Sequence, residues 1–339
     1  MFFSSRVQDF LKAAAGVIIG MGLMLPVAAY ADTAVITKGN TALPYVSLTF
    51  DDGGVPENVR SVLNTLERYQ VQSTFFFTGG FIASEPQLMK ELVAKGNEMG
   101  NHTYGHPDLT RLSYDRIISE LHSSSHAYMQ VSGQEMKAYM RPPYGAWNSA
   151  VLRAISDAGY THTVLWDVDT NDWRGKSAAE ITRHVLQNAG NGSIVLMHTT
   201  KNSKAHQALP AVIEGLQKKG YQIVPLSEMF RAAEELKTPL GPETISQVEF
   251  LNNLVFLKSG SYCANATEVR SKALAYRIID AGEYVHAGRA VSKEQMTKYT
   301  RRAFPDNKSV NIALRRFDFK KSSLPRFIAQ LQKRGSKKK

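Results

Sequence analysis

The sequence predicts an α/β fold built on a parallel sheet, followed by a smaller, mostly helical C-terminal region. Three observations predict it. From Tyr45 to about Phe230, short apolar runs alternate about seven times with segments of helical period, the pattern left by strands that are buried on both faces and connected through helices. Gly96, Gly133, Gly159 and Gly220 follow helical segments as stops. Beyond Pro239, Gly241 and Pro242, strand-like runs become scarce. Alternation alone does not choose between an open sheet and a closed barrel.

Taken in order, the chain begins with Arg6 and Lys12 ahead of an uncharged stretch, Ala13 to Ala31, that closes on Ala29-Tyr30-Ala31. This reads as a signal peptide over residues 1–31, which makes the protein exported, periplasmic or secreted. The competing reading is an uncleaved membrane anchor, against which stand Pro26 and the small residues at the end. Residues 32–43 read as a linker, and 44–238 as the main domain. In it, Tyr45–Phe50, Ser73–Thr78, Glu98–Asn101, Ala138–Met140, His162–Trp166, Ser193–Met197 and Gln222–Val224 have strand character. Pro56–Tyr69, Glu85–Lys95, Ser113–Val131, Ser149–Ala158, Ala178–Asn188 and His206–Lys219 have helical period. The region 239–332 offers helices at Glu243–Leu257, Ala266–Ala281, Lys293–Arg302 and Ser323–Gln332, and 333–339 is a basic tail expected to be disordered.

Composition narrows the classes. Cys263 is the only cysteine, so no intramolecular disulfide forms and any metal site must be built from His and carboxylate, a donor set for a hard or borderline ion. Charge is uneven: Leu240 to Lys339 holds 20 Lys and Arg against 8 Asp and Glu, a net of +12, which leaves −1 for everything before. A nucleic-acid binder with a uniformly basic surface is excluded by that distribution.

Chemistry-bearing residues fall just after strand ends. Asp51-Asp52-Gly53 follow the first strand, His102 and His106 another, then Arg141 and Tyr144, then Asp169 and Asp172-Trp173, then His198. In a parallel barrel all such ends open onto one face, where active sites are built. Each cluster alone has an ordinary explanation: paired aspartates cap turns, a His-x-x-x-His pair arises by chance, and Trp147 and Trp173 pack. Their combination is the signal.

These residues carry a resemblance. Thr49-Phe50-Asp51-Asp52-Gly53, His102-Thr103-Tyr104-Gly105-His106-Pro107, Arg141-Pro142-Pro143-Tyr144-Gly145, Asp169-Thr170-Asn171-Asp172-Trp173 and Leu196-Met197-His198 match, in order, the motifs of the polysaccharide deacetylase family, the NodB-homology domain of carbohydrate esterase family four, over residues 44–235. Gly54 departs from the pattern, since many members carry Pro there. The resemblance implies a distorted (β/α) barrel and hydrolytic removal of N-acetyl groups from N-acetylglucosamine units of an extracytoplasmic glycan, with peptidoglycan first and chitin-type oligomers or an exopolysaccharide next. It implies one divalent metal ion, zinc first, with cobalt, nickel or manganese as alternatives, on Asp52, His102 and His106. Asp51 looks like the general base, oriented by Arg141, and His198 like the general acid, paired with Asp172; Asp169 is a weaker candidate for that pairing. The Tyr144 backbone N–H resembles the oxyanion donor, and Trp173 and Leu196 the lining of an acetyl pocket. Acetylxylan esterases share the family, so an O-acetyl substrate is the alternative. A catalytically silent glycan-binding module is the rival from another class, opposed by the intact base, acid and ligand positions. The basic C-terminal region has no recognised family, and its expected partners are anionic envelope polymers, held electrostatically.

Overall fold

The computed structural model describes residues 33–235, 244–264, 266–280, 283, 285, 289–305 and 308–335. The signal-peptide reading of 1–31 lies outside them. The barrel opens with β1 (Ala34–Ile36), β2 (Tyr45–Asp52), α1 (Pro56–Arg68), β3 (Thr74–Phe77), α2 (Gly79–Ser84), α3 (Pro86–Ala94), β4 (Glu98–Met99), α4 (Tyr114–Ser132) and β5 (Tyr139–Met140). It continues through α5 (Ser149–Asp157), β6 (His162–Val164), β7 (Val168–Asp169), α6 (Ala178–Asn188), β8 (Ser193–His198), α7 (Ala205–Lys218), β9 (Gln222–Ile223) and α8 (Leu226–Glu235). The helices α9 (Gln247–Ser259), α10 (Ala266–Ala275), α11 (Lys293–Ala303), α12 (Lys308–Arg316) and α13 (Leu324–Gly335) complete the chain.

The strands pair in parallel as two sheets, β4-β3-β2-β8-β7 with β9 also on β2, and β1-β6-β5. A bridge from Asn101 to Met140 joins β4 to β5, and another from Lys38 to Ser193 joins the end of β1 to β8, so the sheets curl into a distorted (β/α) barrel. Central β2 is buried along seven of its eight residues, as a strand covered on both faces must be. Its register sets Asp51 opposite His198 on β8. Phe50 stacks on Phe75, which meets Phe77 edge to face, in the core beside α1 and α7, whose buried faces (Val59, Val62, Leu63, Leu66; Leu209, Val212, Ile213, Leu216) follow the 3.6-residue period.

The C-terminal helices enclose an apolar cluster of their own, including Phe250, Leu254, Tyr299, Phe317, Phe327 and Leu331. They meet the barrel through Gln222 Nε2, which donates to the Val285 carbonyl (3.0 Å), and through the buried Glu228 carboxylate, 2.9 Å from Arg289 Nη2. Among the described residues no helix is long and apolar enough to cross a membrane.

Several boundaries differ from the sequence reading. The stretch read as linker holds β1, too short for a period to register and specified by its pairing with β6. The first C-terminal helix starts at Gln247, where the Ser246 hydroxyl caps Glu249 N, and Glu243 lies outside the described residues. Helix α10 stops at Ala275, just ahead of the left-handed Arg277 (φ 54°). Helix α13 runs to Gly335, into the residues expected to be a disordered tail, with 336–339 outside the described residues. Helix α12 was not anticipated, because its basic residues obscure a short apolar face of Val310, Ala313 and Leu314.

Candidate active site

Asp52 closes β2 with a left-handed backbone (φ 70°), and Gly53 follows at φ 87°, where a Cβ would lie 2.2 Å from the Phe81 ring. That turn aims the Asp52 carboxylate across the barrel mouth. His102 and His106 come from the loop after β4, and both Nε2 atoms lie 3.3 Å from Asp52 Oδ1. Two ligands held at about 2.0–2.1 Å around a tetrahedral ion stand about 3.3 Å apart, so this spacing fits a zinc-like site. The tautomer fits as well. His102 Nδ1 is 2.6 Å from the Arg141 carbonyl oxygen, which can only accept, so Nδ1 carries the proton and the Nε2 lone pair faces Asp52. One carboxylate and two imidazoles within 4.8 Å leave further coordination positions to solvent or substrate. Burial opposes ionisation of Asp52, but in the metal-free site the adjoining His102 and His106 imidazoles hold its carboxyl well below the usual carboxylate range.

Asp51 is almost fully buried and faces Arg141, the largest fully buried side chain. All three nitrogens of Arg141 donate: Nη1 to Asp51 Oδ1 (2.6 Å) and Thr49 Oγ1 (2.9 Å), Nε to the Val164 carbonyl (3.0 Å), and Nη2 to that of Leu165 (3.1 Å). Its plane lies over Phe76, 4.2 Å from the ring centre. Asp51 Oδ1 is thereby engaged, and Oδ2, 3.9 Å from His102 Nε2, faces the cluster of Asp52, His102 and His106.

Across the mouth, His198 Nδ1 is 2.8 Å from Asp172 Oδ1, which fixes the imidazole and turns Nε2 outward. Asp172 is fully buried and also accepts from His198 N, Thr170 Oγ1 and Ser203 Oγ. Burial would push the His198 imidazole down, but its hydrogen bond to Asp172 and that carboxylate's charge, with smaller help from Asp51 and Asp52, carry it up to about 9. Asp172 shifts the other way, held down by His198 against its own burial. Asp169 does not share the pairing; its Oδ1 accepts from Asn171 N (2.8 Å) in a turn.

These groups line one cavity of about 460 Å³ with Pro142, Tyr144, Trp166, Asp169, Trp173, Leu196 and Thr200. Every residue given a role by the family motifs lines it except Arg141 and Asp172, which lie one layer behind. Tyr144 is left-handed (φ 62°) and 70% exposed, its ring 4.7 Å from that of His106. Trp147 and Tyr104 are outside the lining. Thr49, Thr170 and Ser203 hold Arg141 and Asp172 although the sequence assigns them no role: the two threonines sit inside motifs and Ser203 outside them, and a hydroxyl does not reveal its partner, whereas Trp166 carries the signal of a strand-end position. Gly54 sits at φ 98°, which proline cannot adopt, so the departure from the family pattern is a different backbone path.

A family model for polysaccharide deacetylases matches residues 38–163. The chain is 35% identical to a chitooligosaccharide deacetylase of Bradyrhizobium sp. over 54% of its length and 90% of the relative's. The chain belongs to the polysaccharide deacetylase family. Another member, the peptidoglycan-N-acetylmuramic acid deacetylase PdaA of Bacillus subtilis, is 35% identical over 59% of the chain and 76% of the relative. The solved structure of the Bc1960 peptidoglycan N-acetylglucosamine deacetylase superposes with a TM-score of 0.57 at 32% identity, covering 59% of this chain and 94% of that one. This polysaccharide deacetylase is therefore an enzyme, a hydrolase of the parallel α/β barrel type.

Proposed function

We propose that the protein removes N-acetyl groups from N-acetylglucosamine units of an extracytoplasmic polysaccharide, peptidoglycan first. The observation that carries this is the pairing on both sides of the Asp52, His102 and His106 cluster: an arginine-held carboxylate on one side and an aspartate-held imidazole on the other. A divalent ion, zinc first, would be held by those three residues and would supply Lewis acidity toward the acetyl carbonyl and the attacking water. Asp51 takes the proton from that water through Oδ2, because Arg141 occupies Oδ1. His198, protonated at neutral pH, gives its Nε2 proton to the departing sugar amine, and Asp172 stabilises the imidazolium. The Tyr144 N–H supports the developing oxyanion, and Trp173 and Leu196 enclose the methyl group. The relatives, named for deacetylation of chitooligosaccharides and of peptidoglycan, support this substrate class.

Export through a cleaved segment at 1–31 belongs to the same reading, since such a glycan lies outside the cytoplasm. So does association of the C-terminal region with anionic envelope polymers. In α11, Lys298 and Arg302 are taken up by Asp280 and Glu283, whereas Lys293 and Arg301 face a groove of about 540 Å³ shared with Asn311, Arg315 and Phe319. Acetate release from purified peptidoglycan, chitin oligomers and acetylated xylan, before and after chelation, tests the whole proposal. Release from xylan alone would replace it with an O-acetyl esterase, and chelation without effect would remove the metal.

A further inference from the structure

Residues 101–106 must fold back sharply to bring His102 and His106 to one carboxylate. Thr103 and His106 are left-handed (φ 63° and 60°), a conformation that side chains other than glycine disfavour, so the loop has to be held. Part of the hold is local: Asn101 Oδ1 accepts from Thr103 N (2.8 Å) and Thr103 Oγ1 from His106 N (3.0 Å). Part comes from α2, where Gly79 N and Gly80 N donate to the carbonyls of Thr103 (2.9 Å) and Tyr104 (3.0 Å). The two amides at the tip, Tyr104 N and Gly105 N, converge on a single oxygen, Glu120 Oε2, at 3.0 and 2.8 Å. Glu120 stands on α4, which contributes no residue to the lining of the active-site cavity.

We propose that Glu120 is a positioning residue for the metal centre, a carboxylate on a packed helix that fixes the tip of the ligand loop and so pre-forms the His102–His106 spacing. The proposal rests on the reading of Asp52, His102 and His106 as the ligands. Successive N–H groups pointing one way make a concavity that one oxygen at the right reach can fill, and here a single oxygen serves both amides. With the tip tied to α4, the loop reaches its strained shape before an ion arrives, and binding does not have to order it. Untied, the two amides turn to water, and the loop can relax out of the left-handed states that aim both Nε2 atoms at Asp52.

Two conservative substitutions, one isosteric and one shortened, separate this hold from simple charge attraction. Glu120→Gln keeps an oxygen at the same reach and drops the charge; Glu120→Asp keeps the charge and shortens the side chain by one methylene. Zinc dissociation constants would be measured on the metal-free full chain by competition with a chromophoric chelator, with His102→Ala as reference. The hold predicts that Glu120→Asp weakens zinc binding about tenfold, the low end of what support around a metal site contributes, while Glu120→Gln stays within about threefold of the parent. Amide exchange at Tyr104 and Gly105 should quicken in Glu120→Asp alone, with unchanged melting of the metal-free protein. The reverse order of affinities, equal losses, or parental affinity in both variants would overturn the proposal. If the parent itself bound zinc no better than His102→Ala, the ligand assignment would fall first.

Discussion

Asp172→Asn isolates the device that keeps His198 protonated. In the parent the imidazole titrates at about 9, against an ordinary 6.5, and the leading upward influences are the hydrogen bond and the charge of Asp172. That displacement of about 2.5 units corresponds to roughly 3 kcal/mol of preference for the imidazolium. The asparagine keeps the volume, removes the charge, and leaves burial to push the imidazole toward or below 6.5. The alkaline limb of kcat should therefore move from near 9 to 6.5 or lower. At pH 8 the protonated fraction drops from about nine-tenths to a few hundredths, an expected loss of roughly 30-fold, most of which returns at pH 6. A cation on Asp52 offsets only the smaller contributions of Asp51 and Asp52, so it draws both limbs down together and preserves their separation. Stability follows the same sign. A raised histidine contributes fully below pH 6.5 and loses its contribution as pH rises through about 9, so chelated parent protein should lose stability over that window and Asp172→Asn should not. Deacetylation rates across pH 5.5–10.5 and urea titrations at pH 6 and 10 measure both. An alkaline limb in the same place for parent and variant would refute the assignment of His198 and its partner.

Asp51→Asn should retain zinc yet lower kcat by about two to four orders of magnitude, as loss of a general base does, measured by acetate release and metal content on one sample. Arg141→Met leaves the Asp51 carboxylate buried without its partner and should destabilise the fold by about 3–5 kcal/mol in urea titration; a cost below 1 kcal/mol would mean that Asp51 finds water. Arg289→Met strands part of the buried Glu228 carboxylate where the C-terminal helices meet the barrel, and should cost about 1–3 kcal/mol, lessened by pairing it with Glu228→Gln. Gly53→Ala should be poorly folded, because its Cβ has no room beside Phe81 and its φ of 87° is disfavoured for alanine; parental melting would show that the turn can shift.

The sequence by itself determined the alternating architecture, the family, and most of the residues that face the cavity. Those traits are written locally: strands buried on both faces leave apolar runs, helices leave a 3.6-residue period, and a residue placed directly after a strand end is carried to the same rim whichever strand it follows. What it left open depends on partners far apart in the chain. That β1 is a strand at all comes from β6, some 130 residues away, since three residues with no neighbour have no reason to be extended. That Arg141 is wholly buried was decided by carbonyls of Val164 and Leu165 and by Thr49, groups without any signature because every residue has a carbonyl and many have a hydroxyl. The raised His198 followed only from the buried Asp172 being brought against it, and the tie on the tip of the loop after β4 only from α4 lying beside it. A sequence names the charges, but the distances between them and the water excluded around them set their strength, and both quantities exist only once the barrel has closed.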